Sequence, residues 1–248
     1  QGGKRKGACA VYLETWHADI EEFLELRDNT GDPYRRTHNL HTANWVPDLF
    51  MKRVEEDGLW SLFDPKAVPE FCDLFGEAFE KAFAEAEQKK LYARQVRARD
   101  LYARMMKSLA ETGNGWMNFK DACNRKSNQT GAPGQDIHSS NLCTEILEVT
   151  SNTETAVCNL GSINLAKYVI NGQFDFEKLA ANARTAVKIL DRVIDINFYP
   201  TIQAAGSNKR MRPVGLGVMG LQDALFMIGL PFDSAQARAL SAKIQEEI

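Results

Sequence analysis

The run Ser140-Asn141-Leu142-Cys143-Thr144-Glu145-Ile146 sets an amide, a thiol and a carboxylate at every second position. In an extended strand, side chains at i, i+2 and i+4 line one face, with neighbours roughly 6.6 Å apart along the chain. Read that way, Asn141, Cys143 and Glu145 share a face, while Leu142, Thr144 and Ile146 anchor the other. Burying such a trio is costly unless something hydrogen-bonds to it, and a polar ligand would supply the partners. The competing reading is an amphipathic surface strand with an inert cysteine. The trio alone does not separate the two. A third reading is a cysteine hydrolase, with Cys143 as nucleophile beside His138 and Glu145. It needs a base in hydrogen-bond reach of the thiol and an oxyanion hole.

Cys158, in the run VCNLGS, follows Cys143 by fifteen residues. Alone it reads as a small buried hydrophobe. Next to SNLCTEI it invites a redox role. His38 and His41 are three apart and could share a helix face, yet no carboxylate or third histidine stands at a recognised spacing, so no metal is expected. Gly215-Leu216-Gly217-Val218-Met219-Gly220 matches GxGxxG. The dinucleotide reading requires a buried strand immediately before the motif, and SNKRMRP precedes it. Close packing at a loop–helix junction is the expected use of those glycines.

The elements that must position these groups sit in a chain of 248 residues, 44% hydrophobic and 25% charged, with a formal net charge of -3. Such a balance gives no global attraction to nucleic acid or to an anionic membrane. No apolar run approaches the ~20 residues of a membrane span. The five cysteines are odd in number and contain no CxxC, which argues for a reducing, cytoplasmic compartment over a disulfide framework. The chain opens on Gln1, and its last helical pattern, after Asp233-Ser234, has no stop signal. It reads as an excised piece of a longer protein, or one product of a split gene.

Ala8–Glu14 alternates like a strand, and Trp16–Leu26 carries helical spacing. Pro47 opens a short helix closed by Gly58, and Trp60–Phe63 is a strand candidate. Residues 69–112 are mostly helical. One apolar stripe runs from Phe71 to Phe83 and a second from Leu101 to Leu109, with an interruption near Lys89–Arg97. WMNFKD reads as a strand and NRKSNQTGAPGQ as a loop. Asp175 caps a helix carrying Phe176, Leu179, Ala183, Val187, Leu190 and Ile194, and residues 216–228 form a shorter helix closed by Gly229. This alternation of helices and strands indicates an α/β fold.

Three runs in this order, SNLCTEI, AVCNLGSINL and SNKRMRPVGLGVMGL, resemble the large, catalytic subunit of class I ribonucleotide reductase, in its eukaryotic-like branch. QGGKRKGACAVYLETWH, WVPDLFMKRVEEDGLWSLFDP and KDACNRKSNQ resemble it too, so the likeness covers essentially the whole chain. The resemblance implies part of a ten-stranded α/β barrel whose active cysteine sits on a loop entering it. Residues 1–248 would be the central part of that catalytic barrel domain, with no complete second domain.

By the same resemblance Cys143 carries a transient thiyl radical that takes a hydrogen atom from ribose C3′. Glu145 would be the general base on the 3′-hydroxyl. Asn141 would hold the ribose hydroxyls in line. Cys158 would be one member of a reducing dithiol whose partner lies upstream. Cys9, Cys72 and Cys123 match no redox position of the family and are expected to be structural. Gln1, Gly2, Gly3, Lys4, Arg5, Lys6 and Gly7 resemble the specificity loop between an effector site and the substrate base, with Gln1 and Arg5 on the base side. That loop is one residue shorter than in many eukaryotic members.

The implied activity is reduction of ribonucleoside diphosphates to 2′-deoxyribonucleoside diphosphates. No cofactor or metal is expected on this chain. A metal-containing small subunit would supply the radical, thioredoxin or glutaredoxin the electrons, and ATP or a deoxynucleoside triphosphate the allosteric control, in a homodimer of large subunits. The isolated chain is expected to be inactive. A non-catalytic nucleotide-binding relic is the alternative from another class.

Overall fold

A computed structural model of the chain describes residues 6–248. These fall into two compact units that divide after Ser151, and both mix helices with strands, as the alternating pattern predicts.

The first unit is built on three parallel strands, β1 (Ala10–Glu14), β2 (His41–Val46) and β5 (Trp116–Phe119), in the order β1-β2-β5. The segment between β1 and β2 includes α1 (Ile20–Glu25). Between β2 and β5 the chain forms α2 (Asp48–Glu55), β3 (Leu59–Leu62), α3 (Gly76–Gln88), β4 (Arg94–Arg97) and α4 (Ala98–Thr112). Strand β4 fills the interruption between the two apolar stripes and pairs antiparallel with β3. Gly113, at φ 65°, ends α4 in the left-handed conformation that glycine adopts most readily. After β5 the chain turns at once into α5 (Lys120–Lys126). Sequence periodicity misses α5, because its first two residues close the strand-like run WMNFKD.

Register divides the sheet into two chemically different faces. Leu13, Val46 and Met117 point one way, into the main core. That core is strongly aromatic: Trp60 stacks on Phe83 at 4.4 Å between ring centroids and meets Phe50 edge-on at 5.1 Å, and Phe71 contacts Trp16, Phe63 and Phe79, each at 5.3 Å. Tyr12, Glu14, Trp45 and Asn118 point the other way. The candidate site lies on this second, more polar face.

In the second unit β6 (Asn159–Asn164) pairs in parallel with β9 (Val214–Met219). A short hairpin, β7 (Val169–Ile170) with β8 (Gln173–Phe174), leads into α6 (Phe176–Ile196). The Asp175 side chain accepts the Lys178 N–H, as its N-cap position predicts. Helices α7 (Ile202–Met211), α8 (Leu221–Ile228) and α9 (Ala235–Glu247) complete the unit. Leu165, Leu179, Ala183, Ala224 and Ile244 form its core. The helix expected over 216–228 begins only at Leu221, because Val214–Met219 pairs with β6.

Candidate functional site

Helix α5 is the hub of the first unit. Its Lys120, Asp121 and Asn124 are buried, and each satisfies groups far away in sequence. Lys120 Nζ donates to Glu14 Oε1 at 2.7 Å and to the carbonyls of Phe71 and Cys72 at 2.7 and 3.1 Å. All three ammonium protons thereby have acceptors. The Asp121 carboxylate accepts the Asp48 N–H on one oxygen and the Gly76 N–H on the other. One side chain thus caps the first turns of α2 and α3, where a negative charge is favoured. Asn124 donates to the Ile137 carbonyl at 3.0 Å and accepts the Ile137 N–H at 2.8 Å.

That last pair starts the segment that carries the thiol. Past α5, Ser127 Oγ donates to the Leu147 carbonyl and Gln129 Oε1 accepts the Val149 N–H, each at 3.0 Å. Ile137 on the way in and Leu147 and Val149 on the way out are therefore held by one short stretch of chain. Between them the loop closes on itself. Ser140 Oγ donates to the Ile146 carbonyl at 2.6 Å, and Asn141 Oδ1 accepts the Ile146 N–H at 3.3 Å. The Tyr12 hydroxyl, from β1, donates to the Asn141 carbonyl at 2.6 Å. Cys143 and Glu145 are exposed within the closed stretch.

The strand expected for SNLCTEI does not form. Residues 141–146 are irregular, and Thr144 has φ 74°, in the left-handed region. Alternation of faces cannot be read through such a residue, so the spacing of the trio does not place it on one side. Asn141 turns its side-chain oxygen to Ile146, within the loop. The cysteine-hydrolase reading fails on geometry. His138 presents Nδ1 to Thr150 Oγ1 at 2.8 Å and Nε2 to Asp73 Oδ1 at 2.9 Å, so both ring nitrogens are engaged away from Cys143.

Burial, helped by the charge of Glu145, raises the Tyr12 phenol above its usual value, although Ser140 and Asn118 oppose the shift. Tyr12 therefore remains a donor at neutral pH. Burial likewise pushes the thiols of Cys72 and Cys123 upward, away from the reactive thiolate form.

Glu14 lies on the same face of β1 as Tyr12, its side chain mostly buried. Loss of hydration drives its carboxyl up from 4.5 to about 7, against the opposing pull of Lys120 and of the Trp16 indole N–H. A carboxyl raised in the folded state stabilises that state fully below its unfolded value. The contribution disappears as pH rises through the folded value. The stability of the first unit should therefore fall between about pH 4.5 and 7. In Glu14→Gln the fall over that window should vanish, as read from urea midpoints at pH 5 and pH 8. An unchanged slope would show that Glu14 is ionised throughout.

In the second unit Cys158 is half-buried and immediately precedes β6. A Cβ on Gly215 would lie 3.8 Å from its sulfur, an ordinary contact, and 2.5 Å from Leu160 Cδ2, so the exposed Leu160 side chain would have to move aside. The GxGxxG run is strand β9 itself rather than a turn after a strand. Gly220, at φ 71°, opens α8, and a Cβ there would lie 2.9 Å from Asn164 Oδ1. These glycines serve packing at a strand–helix junction instead of the expected loop–helix one. His38 is in a loop and His41 begins β2, so they share no helix face, and no group of metal-ligating residues occurs among the described residues. Gln1, Gly2, Gly3, Lys4 and Arg5 lie outside the described residues, while Lys6 and Gly7 are exposed. Among the described residues no helix is long and apolar enough to cross a membrane.

A family model described as "Ribonucleotide reductase, barrel domain" matches residues 1–248. The chain is 51% identical over 245 residues to the ribonucleoside-diphosphate reductase subunit alpha of Chlamydia muridarum, covering 96% of this chain and 23% of that protein. It is 50% identical over 248 residues to the large subunit of Danio rerio, covering 100% of this chain and 31% of that protein. It is 47% identical over 247 residues to the large subunit of Variola virus, covering 100% and 32%. The chain thus spans between 23% and 32% of the length of these relatives.

Proposed function

Because the chain belongs to the ribonucleotide reductase barrel-domain family, we propose that it is the central part of the ten-stranded catalytic barrel of a ribonucleoside-diphosphate reductase large subunit, with Cys143 on the loop that enters the barrel. The observation that supports this reading best is the loop itself. An exposed thiol and an exposed carboxylate stand two residues apart on a stretch pinned from α5 and from β1. A side chain that exchanges a hydrogen atom with a bound sugar must be reachable, and it must be held in place.

In this reading the Cys143 thiyl removes the hydrogen atom from ribose C3′. Glu145 takes the proton of the 3′-hydroxyl. Asn141 has its side-chain oxygen committed to Ile146, so its amide N–H groups address the ribose hydroxyls. The 2′-hydroxyl leaves as water, and Cys158 with a second thiol from upstream supplies the two electrons as the pair becomes a disulfide. Cys143 finally returns its hydrogen atom to C3′. A metal-containing small subunit generates the radical, and thioredoxin or glutaredoxin reduces the disulfide. The specificity loop at Gln1–Gly7, with Gln1 and Arg5 toward the base, conveys effector binding, and large subunits pair as a cytoplasmic homodimer.

The test is formation of deoxynucleoside diphosphate by the full-length protein with its small subunit, reductant and effector. Product that depends on the small subunit is expected. Nucleotide binding without product would favour the non-catalytic relic.

A further inference from the structure

We propose that Tyr12 is a positioning residue for this chemistry: by holding the Asn141 carbonyl, its hydroxyl sets where the loop presents Cys143 and Glu145. The proposal rests on the reductase reading of those residues.

The bonds from Ser140 Oγ and Asn141 Oδ1 to Ile146 stay within the loop. They fix its shape but not its place over the sheet. The Tyr12 bond crosses from β1 to residue 141, spanning 129 positions of sequence, at a short 2.6 Å. Its donor is well fixed. Tyr12 lies in the middle of β1, opposite Ala43 of β2, and its ring meets Trp45 edge-on at 6.0 Å and 79°. The acceptor lies close in sequence to the reacting groups. Asn141 C=O belongs to the peptide joining residues 141 and 142, and Cys143 follows two residues on, at most about 7 Å further along the chain. At that distance a ~10° swing about the carbonyl moves the thiol by roughly 1 Å, and a misplacement of about 1 Å can cost a hundredfold in rate. The raised phenol keeps its proton, and so its donor role, across the neutral range.

The experiment uses Tyr12→Phe in the full-length protein, with small subunit, reductant and effector, and with substrate carrying deuterium at C3′. Phenylalanine keeps the ring contact with Trp45 and removes only the donor. Turnover should fall about ten- to hundredfold, with substrate affinity within about twofold and the melting temperature close to wild type. The isotope effect on kcat should grow, because hydrogen abstraction by the displaced thiol becomes the slow step. A purely structural role would not move that isotope effect. Wild-type turnover with a wild-type isotope effect would overturn the proposal. So would a variant that is only less stable. Should Tyr12→Phe fold less well, hydrogen exchange of its native fraction still decides. Amides in 141–146 must exchange faster while those of β1 and β2 do not, and equal protection in the loop would overturn the proposal. If the wild-type protein makes no deoxynucleotide, the reductase reading falls first and takes this one with it.

Discussion

Cys143→Ser should abolish turnover in the full-length protein while leaving nucleotide binding nearly intact. Serine fills the space of the thiol and, at an exposed position, disturbs little. Its O–H bond, however, holds the hydrogen atom too strongly for the group to act as a carrier. The expected loss is at least a thousandfold, about 4 kcal/mol in the barrier. A merely structural cysteine would behave differently, since serine at an exposed position should leave turnover largely intact. Measuring steady-state deoxynucleotide formation beside equilibrium substrate binding separates the two. Turnover within about tenfold of wild type would refute the radical role.

Cys158→Ser should fail in another way. In the proposed mechanism abstraction at C3′ uses the Cys143 thiyl and not Cys158, so it should proceed. If Cys158 is one thiol of the proposed reducing pair, the variant lacks the electrons, and the substrate radical has no clean exit. The nucleotide should then decompose, releasing its base and quenching the radical. Base release and spin decay, followed together, distinguish this from a mutant that never starts. A variant that forms deoxynucleotide normally over many turnovers would remove Cys158 from the mechanism. Gly215→Ala is a useful companion, because its Cβ would press on Leu160 and approach the Cys158 sulfur without changing the thiol.

How much of this was legible in the sequence depended on whether a residue's partners were near it in the chain. Helix α6 was legible, since Asp175 caps it locally and Leu179, Ala183, Leu190 and Ile194 of its apolar stripe are buried. The stripes of α3 and α4 were legible from their apolar spacing alone. Helix α5 was not. Lys120 and Asp121 look like solvent-facing charges until Glu14, Asp48 and Gly76 are brought to them from 106, 73 and 45 residues away. Strand β9 ran against propensity, having two glycines in six residues, and forms because β6 lies alongside it. At the candidate site the residue types were readable and their geometry was not. The alternation of Asn141, Cys143 and Glu145 suggested a strand, but pairing partners and a backbone angle decided otherwise. Nothing in a threonine announces a positive φ.

That threonine carries a consequence for anyone who would engineer the protein. A β-branched residue held at φ 74° stores strain on the order of 1–3 kcal/mol, and glycine would relieve part of it. A screen for thermal tolerance would therefore be drawn to Thr144→Gly. The same change would loosen the one backbone joint between the thiol and the carboxylate. Selection for a hardier protein and selection for a faster one would then pull this codon in opposite directions.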